Sequence, residues 1–241
     1  MHYQLRQLSI LKLILLIFLL AMNAQAVCQA SMLTPLSSVE GRQFLLNSHL
    51  TQSFLMLSEN YITQENQAYC SIASSVMVLN ALKIKPQNRL FGKYNFIDQD
   101  NFFSDQVLQK VSQEDIRKNG LTLDQLGDIL KSYPIDVSII HAKTISYEYF
   151  LKNLIELFKT SDRYMIVNFL RAKLGQPGGG HFSPIAAYDP TSEKVLVMDV
   201  ARYKYYPYWV STHDLWNAMQ TLDNTSLLTR GYIIIKKENI K

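Results

Sequence analysis

The sequence predicts an α+β domain, with a helical N-terminal lobe that carries a cysteine and an antiparallel β-sheet C-terminal lobe that carries a histidine and an aspartate. Three observations predict it. The apolar stretch from Cys70 to Asn80 follows a polar run at 64–67 and has the length and spacing of a helix. Thr122 and Gln125 are spaced as a capping box, with Leu123, Leu126, Ile129 and Leu130 following at helical spacing. After residue 162 the pattern turns to short β-branched and aromatic runs bounded by Gly, Pro and Asp, which are strand and turn signals.

The 241 residues open with Arg6 and Lys12, run through an apolar core at 13–20 and reach Ala24-Gln25-Ala26. A basic start, a short apolar core and a small-x-small site read as a secretory signal over 1–26, with one domain at 27–241. The core is well short of the roughly 20 residues a membrane span needs. Export is therefore expected, to the periplasm or outside a bacterium, with no stable membrane association after cleavage. Loss of Arg6 and Lys12 with no acidic residue lowers the formal charge from +4 to +2. No basic run is interleaved with aromatics, so neither nucleic acid nor an anionic surface is indicated as a partner.

Along the domain, Ser37 and Glu40 are spaced as a first capping box. In the helix that Cys70 opens, Ile72, Val76 and Leu79 share a face, and Pro86 ends the pattern. The 122–130 helix is followed by an amphipathic run carrying Phe150, Leu151, Leu154, Leu157 and Phe158. A strand is expected at 164–170. Two more, beginning at His181 and Lys194, flank the turn Asp189-Pro190-Thr191-Ser192 as a hairpin. A strand at 205–210, a short helix at 212–222 and a last strand at 231–235 complete the order, and the stretch 176–180 reads as a loop.

Cys70 stands where a helix begins, and the positive end of the helix dipole favours thiolate over thiol. A buried packing cysteine is the other reading of a lone thiol. The hairpin separates them, because it sets His181 at the start of one strand within a few residues of Asp199 at the end of the next. Cysteine, histidine and aspartate in that setting are the nucleophile, the base and the acid that orients the base. The glycines at 178–180 allow a close approach to the imidazole.

Gln64, Ala68-Tyr69-Cys70, the 76–82 segment, Gly180-His181-Phe182-Ser183-Pro184, the 199–205 segment and Trp209 together resemble the catalytic domain of phytochelatin synthases, from about residue 33 to 236. The resemblance implies a papain-like fold and a glutathione γ-glutamylcysteinyltransferase that acts through a γ-glutamylcysteinyl thioester. It assigns Cys70 as nucleophile, His181 as base, Asp199 as the orienting acid and Gln64 as an oxyanion-hole donor. The short form resembles bacterial relatives, in which glutathione is mainly hydrolysed to γ-glutamylcysteine and glycine and transfer to a second glutathione, making phytochelatin, is weak or absent.

A γ-glutamyl group carries a free α-amino group and a free α-carboxylate, so its site needs one anionic and one cationic partner. Asp223 and Arg230 match the positions that hold these groups in the family; a solvated turn at 223–226 followed by a surface arginine is the alternative. Asn168 is either a γ-glutamyl contact or a polar strand residue. Arg202 either serves a second substrate's carboxylate or pairs with a neighbouring acid, and Tyr205 lies in the same matched stretch. The aromatics Tyr203, Tyr205, Tyr206, Tyr208 and Trp209 read chiefly as strand packing, with shielding of the Cys-His pair as their other role.

The five histidines are scattered and no Cys or His pair has ligand spacing, so no metal centre and no required cofactor are expected. The resemblance leaves open stimulation by heavy-metal ions or metal–glutathione thiolates, and a homodimer. A disulfide from Cys28 to Cys70 would be available to an exported chain; Cys28 lies beside the cleavage site, and Cys70 is expected to stay reduced. Two other classes remain open at this point: a general papain-like peptidase or amidase with another peptide substrate, and a catalytically silent binding module.

Overall fold

Period-two alternation in the second half of the chain builds a sheet whose two faces are both covered. The computed structural model describes residues 33–48, 52–87, 95–160 and 162–238, so the expected signal segment and Cys28 lie outside the described residues. In chain order the elements are β1 (Leu33–Pro35), α1 (Val39–Asn47), α2 (Gln52–Glu59), α3 (Cys70–Ala81), α4 (Asp105–Leu108), α5 (Gln113–Asn119) and α6 (Leu123–Leu130). Then come β2 (Ile135–His141), α7 (Tyr147–Phe158), β3 (Arg163–Leu170), β4 (Gly180–Asp189), β5 (Lys194–Val197), β6 (Tyr208–Ser211), α8 (Thr212–Met219) and β7 (Gly231–Lys237). Seven described strands form one sheet in the order β1-β6-β5-β4-β3-β7-β2, and each neighbouring pair is antiparallel.

Alternate residues of the central strands enter different cores. Tyr164, Ile166, Leu196, Trp209, Ile233 and Ile235 pack with α3 and α6. Met165, Val167, Val195, Val197, Val210 and Tyr232 pack with α7 and α8 on the other face. This is the α+β layout expected, with the Cys70 helix on one face of the antiparallel sheet. No helix among the described residues is long and apolar enough to cross a membrane.

The helix expected from Cys70 to Asn80 runs one residue further, to Ala81, and it is buried along its whole length rather than on one face. Its Asn80 explains part of this, since the carboxamide clips the Ile97 backbone by donating to the carbonyl at 2.7 Å and accepting from the N–H at 2.9 Å. The capping box at Thr122 and Gln125 forms with both of its bonds. At the first helix the cap is Ser38, whose Oγ accepts from the Gly41 N–H at 2.9 Å, and not Ser37. Gly41 decides the register, because a Cβ there would sit 2.0 Å from the Pro35 carbonyl oxygen.

Other boundaries also differ. The helical lobe is not free of strands, since β1 and β2 come from the first part of the chain and form the two edges of the sheet. The strand expected at 205–210 starts only at Tyr208, because residues 201–205 form a turn closed by Lys204 and Tyr205 N–H donating to the Ala201 carbonyl at 2.8 and 3.0 Å. The second strand of the hairpin ends at Val197, so Asp199 lies just beyond it.

Gly231 faces His141 across the β2 and β7 ladder, where a Cβ would lie 2.0 Å from the Ile140 carbonyl oxygen. No rotamer change relieves a clash with backbone. Gly231→Ala should therefore lower the urea midpoint by the equivalent of about 1–3 kcal/mol; an unchanged midpoint would mean the two strands separate without cost.

Candidate active site

Cys70 begins α3 with an uncapped first turn, since Tyr69 at the N-cap makes no side-chain capping bond. Its N–H groups therefore point their partial positive charge at the thiol. Ser74 Oγ donates to the Phe182 carbonyl at 3.2 Å and ties this turn to β4 beside the histidine. Cys70 is a free thiol and buried. Burial alone would push its pKa up. The hydrogen bond and charge of His181, a bond from the Phe182 backbone and the charge of Arg171 outweigh it and bring the thiol below its ordinary range.

His181 Nε2 lies 3.0 Å from Asp199 Oδ1 and 3.0 Å from Ser183 Oγ. With Nε2–H donated to the carboxylate, Nδ1 is the nitrogen left to meet the thiol. The ring packs edge-on to Phe169 at 5.6 Å. Burial would lower the imidazole's pKa, but the bond and charge of Asp199 and those of Cys70 raise it above its ordinary value. The two shifts share a cause, the mutual bond and charge of Cys70 and His181, to which Asp199 adds on the imidazole side and Phe182 and Arg171 on the thiol side.

Asp199 is fully buried and still ionised. Burial would raise its pKa, but bonds and charges from His181 and Arg171 hold it at about 2. Arg171 grips it bidentately, Nη1 to Oδ2 and Nη2 to Oδ1, both at 2.9 Å. The guanidinium is in turn fixed by Gln176 Oε1 at 2.6 Å and by the Tyr205 ring at 4.7 Å. Reading the sequence missed Arg171. The one signal it offered is its place at the end of β3, whose Leu170 pairs with Gly180 next to the histidine.

A cavity of about 970 Å³ opens beside Cys70, walled by Asn168, Gly180, Asp223 and Arg230 on one side and by the α5 and α6 segment on the other. The anticipated charge pair is thus in the same cavity as the thiol, and Arg230 is no surface residue, being 8% exposed. Arg230 Nη1 donates to Asp223 Oδ2 at 3.1 Å and to Asn168 Oδ1 at 3.3 Å, and Asn168 Nδ2 donates to the His181 carbonyl at 3.2 Å. Gly180 makes room for the guanidinium, since a Cβ there would lie 2.3 Å from Nη1.

The remaining residues are placed differently. Gln64 is buried, its N–H donating to the Val200 carbonyl at 2.9 Å and its Nε2 donating to the Asn66 carbonyl at 2.7 Å and to Tyr203 Oη at 3.1 Å. Arg202 lies over the Tyr61 ring at 4.5 Å, with no acidic partner among the described residues, and Tyr205 is half-buried against Arg171. Of the aromatic cluster, Tyr208 and Trp209 pack in a strand, while Tyr203 and Tyr206 are exposed. No group of three or more His, Cys, Asp or Glu side chains among the described residues could hold a metal ion.

A thiol at a helix start, an imidazole and a buried carboxylate in one bonded row define a cysteine-nucleophile site of the Cys-His-Asp kind. The phytochelatin synthase family profile matches residues 25–232. Among curated proteins, glutathione gamma-glutamylcysteinyltransferase 3 of Lotus japonicus is 34% identical over 204 residues, covering 83% of this chain and 42% of its own length. The glutathione gamma-glutamylcysteinyltransferase of Schizosaccharomyces pombe is 30% identical over 78% of this chain and 44% of its own length. The chain belongs to the phytochelatin synthase family, and it spans less than half the length of these relatives. Among solved structures, the interpain A cysteine protease of Prevotella intermedia aligns with a TM-score of 0.38 at 12% identity, over 70% of this chain and 82% of its own.

Asp199→Asn should strand the Arg171 guanidinium in a buried place and cost about 3–5 kcal/mol in urea unfolding. It also removes the charge that raises the His181 pKa, so the alkaline limit of the ion pair moves to lower pH. Alkylation of Cys70 by iodoacetamide across pH reads that limit; an unmoved profile would mean Asp199 does not hold the imidazolium. Gly180→Ala should push the Arg230 guanidinium off the cavity wall while leaving the alkylation rate of Cys70 unchanged, and equal loss of thiol reactivity would show the damage to be general.

Proposed function

We propose that this protein cleaves the Cys-Gly amide of glutathione through a γ-glutamylcysteinyl thioester on Cys70, mainly hydrolysing it and to a lesser degree transferring it to a second glutathione to make phytochelatin. The observation that carries this reading is that Cys70 and the Asp223 and Arg230 pair open into one cavity. Family membership and the named activity of the two curated relatives support it. The γ-glutamyl α-carboxylate would take Arg230 and its α-ammonium Asp223, with Asn168 completing the wall.

The thiolate attacks the cysteinyl carbonyl carbon, and the electron pair of the C=O moves onto oxygen beside the Cys70 N–H and the Gln64 side of the site. As the intermediate collapses, imidazolium His181 gives its proton to the amide nitrogen and glycine leaves. Water, giving a proton back to His181, then attacks the thioester and releases γ-glutamylcysteine. The α-amino group of a second glutathione is the competing nucleophile in transfer. Every step uses groups of the chain, and heavy-metal ions enter this reading as thiolates of the substrate, with detoxification of metals as the outcome. Export through the 1–26 segment completes the proposal.

Purified protein mixed with excess glutathione should release a burst of glycine matching the enzyme concentration and gain the mass of one γ-glutamylcysteinyl group. Cys70→Ser should do neither, because a hydroxyl is a far weaker nucleophile near neutral pH. Glycine release by that variant would overturn the nucleophile. Equal cleavage of the tripeptide with an α-linked glutamate would instead favour a general peptidase.

A further inference from the structure

Ser183 is a polar residue in an apolar place. On β4 it shares a face with His181 and Ile185, and across the ladder to β3 it pairs with Val167 while His181 pairs with Phe169. Val167, Phe169 and Ile185 belong to the core on one side of the sheet, and Ser183 is itself 0% exposed. A hydroxyl taken out of water costs stability unless it is bonded. Among the described residues the Ser183 Oγ makes one hydrogen bond, with His181 Nε2 at 3.0 Å. Its partner is thus the imidazole that meets the thiol.

The direction of that bond follows from the carboxylate on the same nitrogen. Nε2 lies 3.0 Å from Asp199 Oδ1, and an ionised carboxylate only accepts, so Nε2 carries a hydrogen. A protonated ring nitrogen has no lone pair for the serine hydrogen. Ser183 Oγ is therefore an acceptor, and Nε2–H is shared between two oxygens. They come from different parts of the chain: Ser183 stands two residues on along the same strand, and Asp199 lies beyond β5, fixed by Arg171 and the Ala201 N–H. One acceptor leaves the ring free to swing about a single bond. Two hold its plane.

We propose that Ser183 is a positioning residue for His181, its hydroxyl oxygen sharing Nε2–H with Asp199 and setting the ring so that Nδ1 alone faces the Cys70 thiol. No atom leaves Ser183 in the reaction. When the imidazolium gives its Nδ1 proton to departing glycine, Nε2–H stays between the two oxygens, and Nδ1 takes the next proton from water without the ring turning. The charged groups that bear on the ring are Asp199 and Cys70, with Arg171 behind the carboxylate. Ser183 adds no charge to them; its lone pair favours the imidazolium, in which Nε2–H is most positive. The glycine step rests on the glutathione reading, and the effect on the thiol does not.

The test is the pH profile of Cys70 alkylation by iodoacetamide in wild type, Ser183→Ala, Ser183→Thr and Ser183→Val. Ser183→Ala should narrow the window of the ion pair by about one pH unit in all, the tenfold change in equilibrium that one charge-assisted hydrogen bond represents. Its acid side moves up, because a less firmly held imidazolium favours the thiolate less, and its alkaline side moves down, because the ring loses its proton earlier. Ser183→Thr and Ser183→Val crowd the strand alike and differ in the hydroxyl. The first should keep the wild-type window and the second should narrow it as Ser183→Ala does. A wild-type window in Ser183→Ala, or equal windows in the other two, would overturn the proposal. The glycine burst from glutathione should fall about tenfold in Ser183→Ala with KM unchanged, and recover in Ser183→Thr. If wild type releases no glycine, the glutathione reading fails by itself, and the alkylation profiles still decide Ser183.

Discussion

The carboxylate of Asp199 receives four hydrogen bonds in a place that solvent does not reach: two from Arg171, one from His181 and one from the Ala201 N–H. A buried carboxylate without them would take up a proton and stop orienting the imidazole. Arg171, Asp199, His181 and Cys70 form a row of alternating charge that sums to zero. Within it the imidazole favours the thiolate and the carboxylate favours the imidazolium, each against the cost of burial. Because the row is held nearly dry, acid is its weak flank. The Asp199 pKa is depressed to about 2 in the fold, so its contribution is complete above its unfolded value near 4 and is lost as pH falls toward 2, a swing of about 2 kcal/mol.

The backbone around that carboxylate ties two loops together. Tyr61 Oη donates to the Asp199 carbonyl at 2.6 Å, the Gln64 N–H donates to the Val200 carbonyl, and Arg202 lies over Tyr61. The segment ahead of the nucleophile is thereby laced to the segment after the acid. Behind them, β4 contains Pro184, which has no N–H for a ladder, and a register shift between Ile185 and Ala187. Beside this irregularity β5 leaves the sheet after Val197, and the chain turns so that Asp199 meets the histidine one strand away.

The parts of this site that could be read in the sequence are those fixed by local pattern. Cys70 precedes an apolar run of helical length, and His181 and Asp199 flank a hairpin whose turn is written in Asp189 and Pro190. Arg171 could not be read so, because a charged residue after a strand is ordinarily a solvated one, and only closure of β3 on β4 brings it under the acid. Strand β2 carried its signal openly, Ile135, Val137 and Ile139 alternating with Asp136 and Ser138, but it sits among helices in the chain order. Three-residue β1, ending in proline, is too short for periodicity to show. The choice of Ser38 over Ser37 depends on Gly41 lying against the Pro35 carbonyl, a contact no helix-start pattern contains.

Arg230 and Asp223 are bonded to each other in the cavity wall, so their two charges answer one another. An incoming molecule must open that bond, and one bearing a single charge would leave the other member of the pair unanswered in a nearly dry wall. Only a group with an ammonium and a carboxylate on neighbouring atoms replaces both halves at once. Under the proposed function the pair would work as a coincidence detector, silent to acids and to amines and responsive to the free amino-acid end of a molecule. Ordinary peptides bury that end in amide bonds along the chain, so on that proposal this single contact would spare them from the thiol.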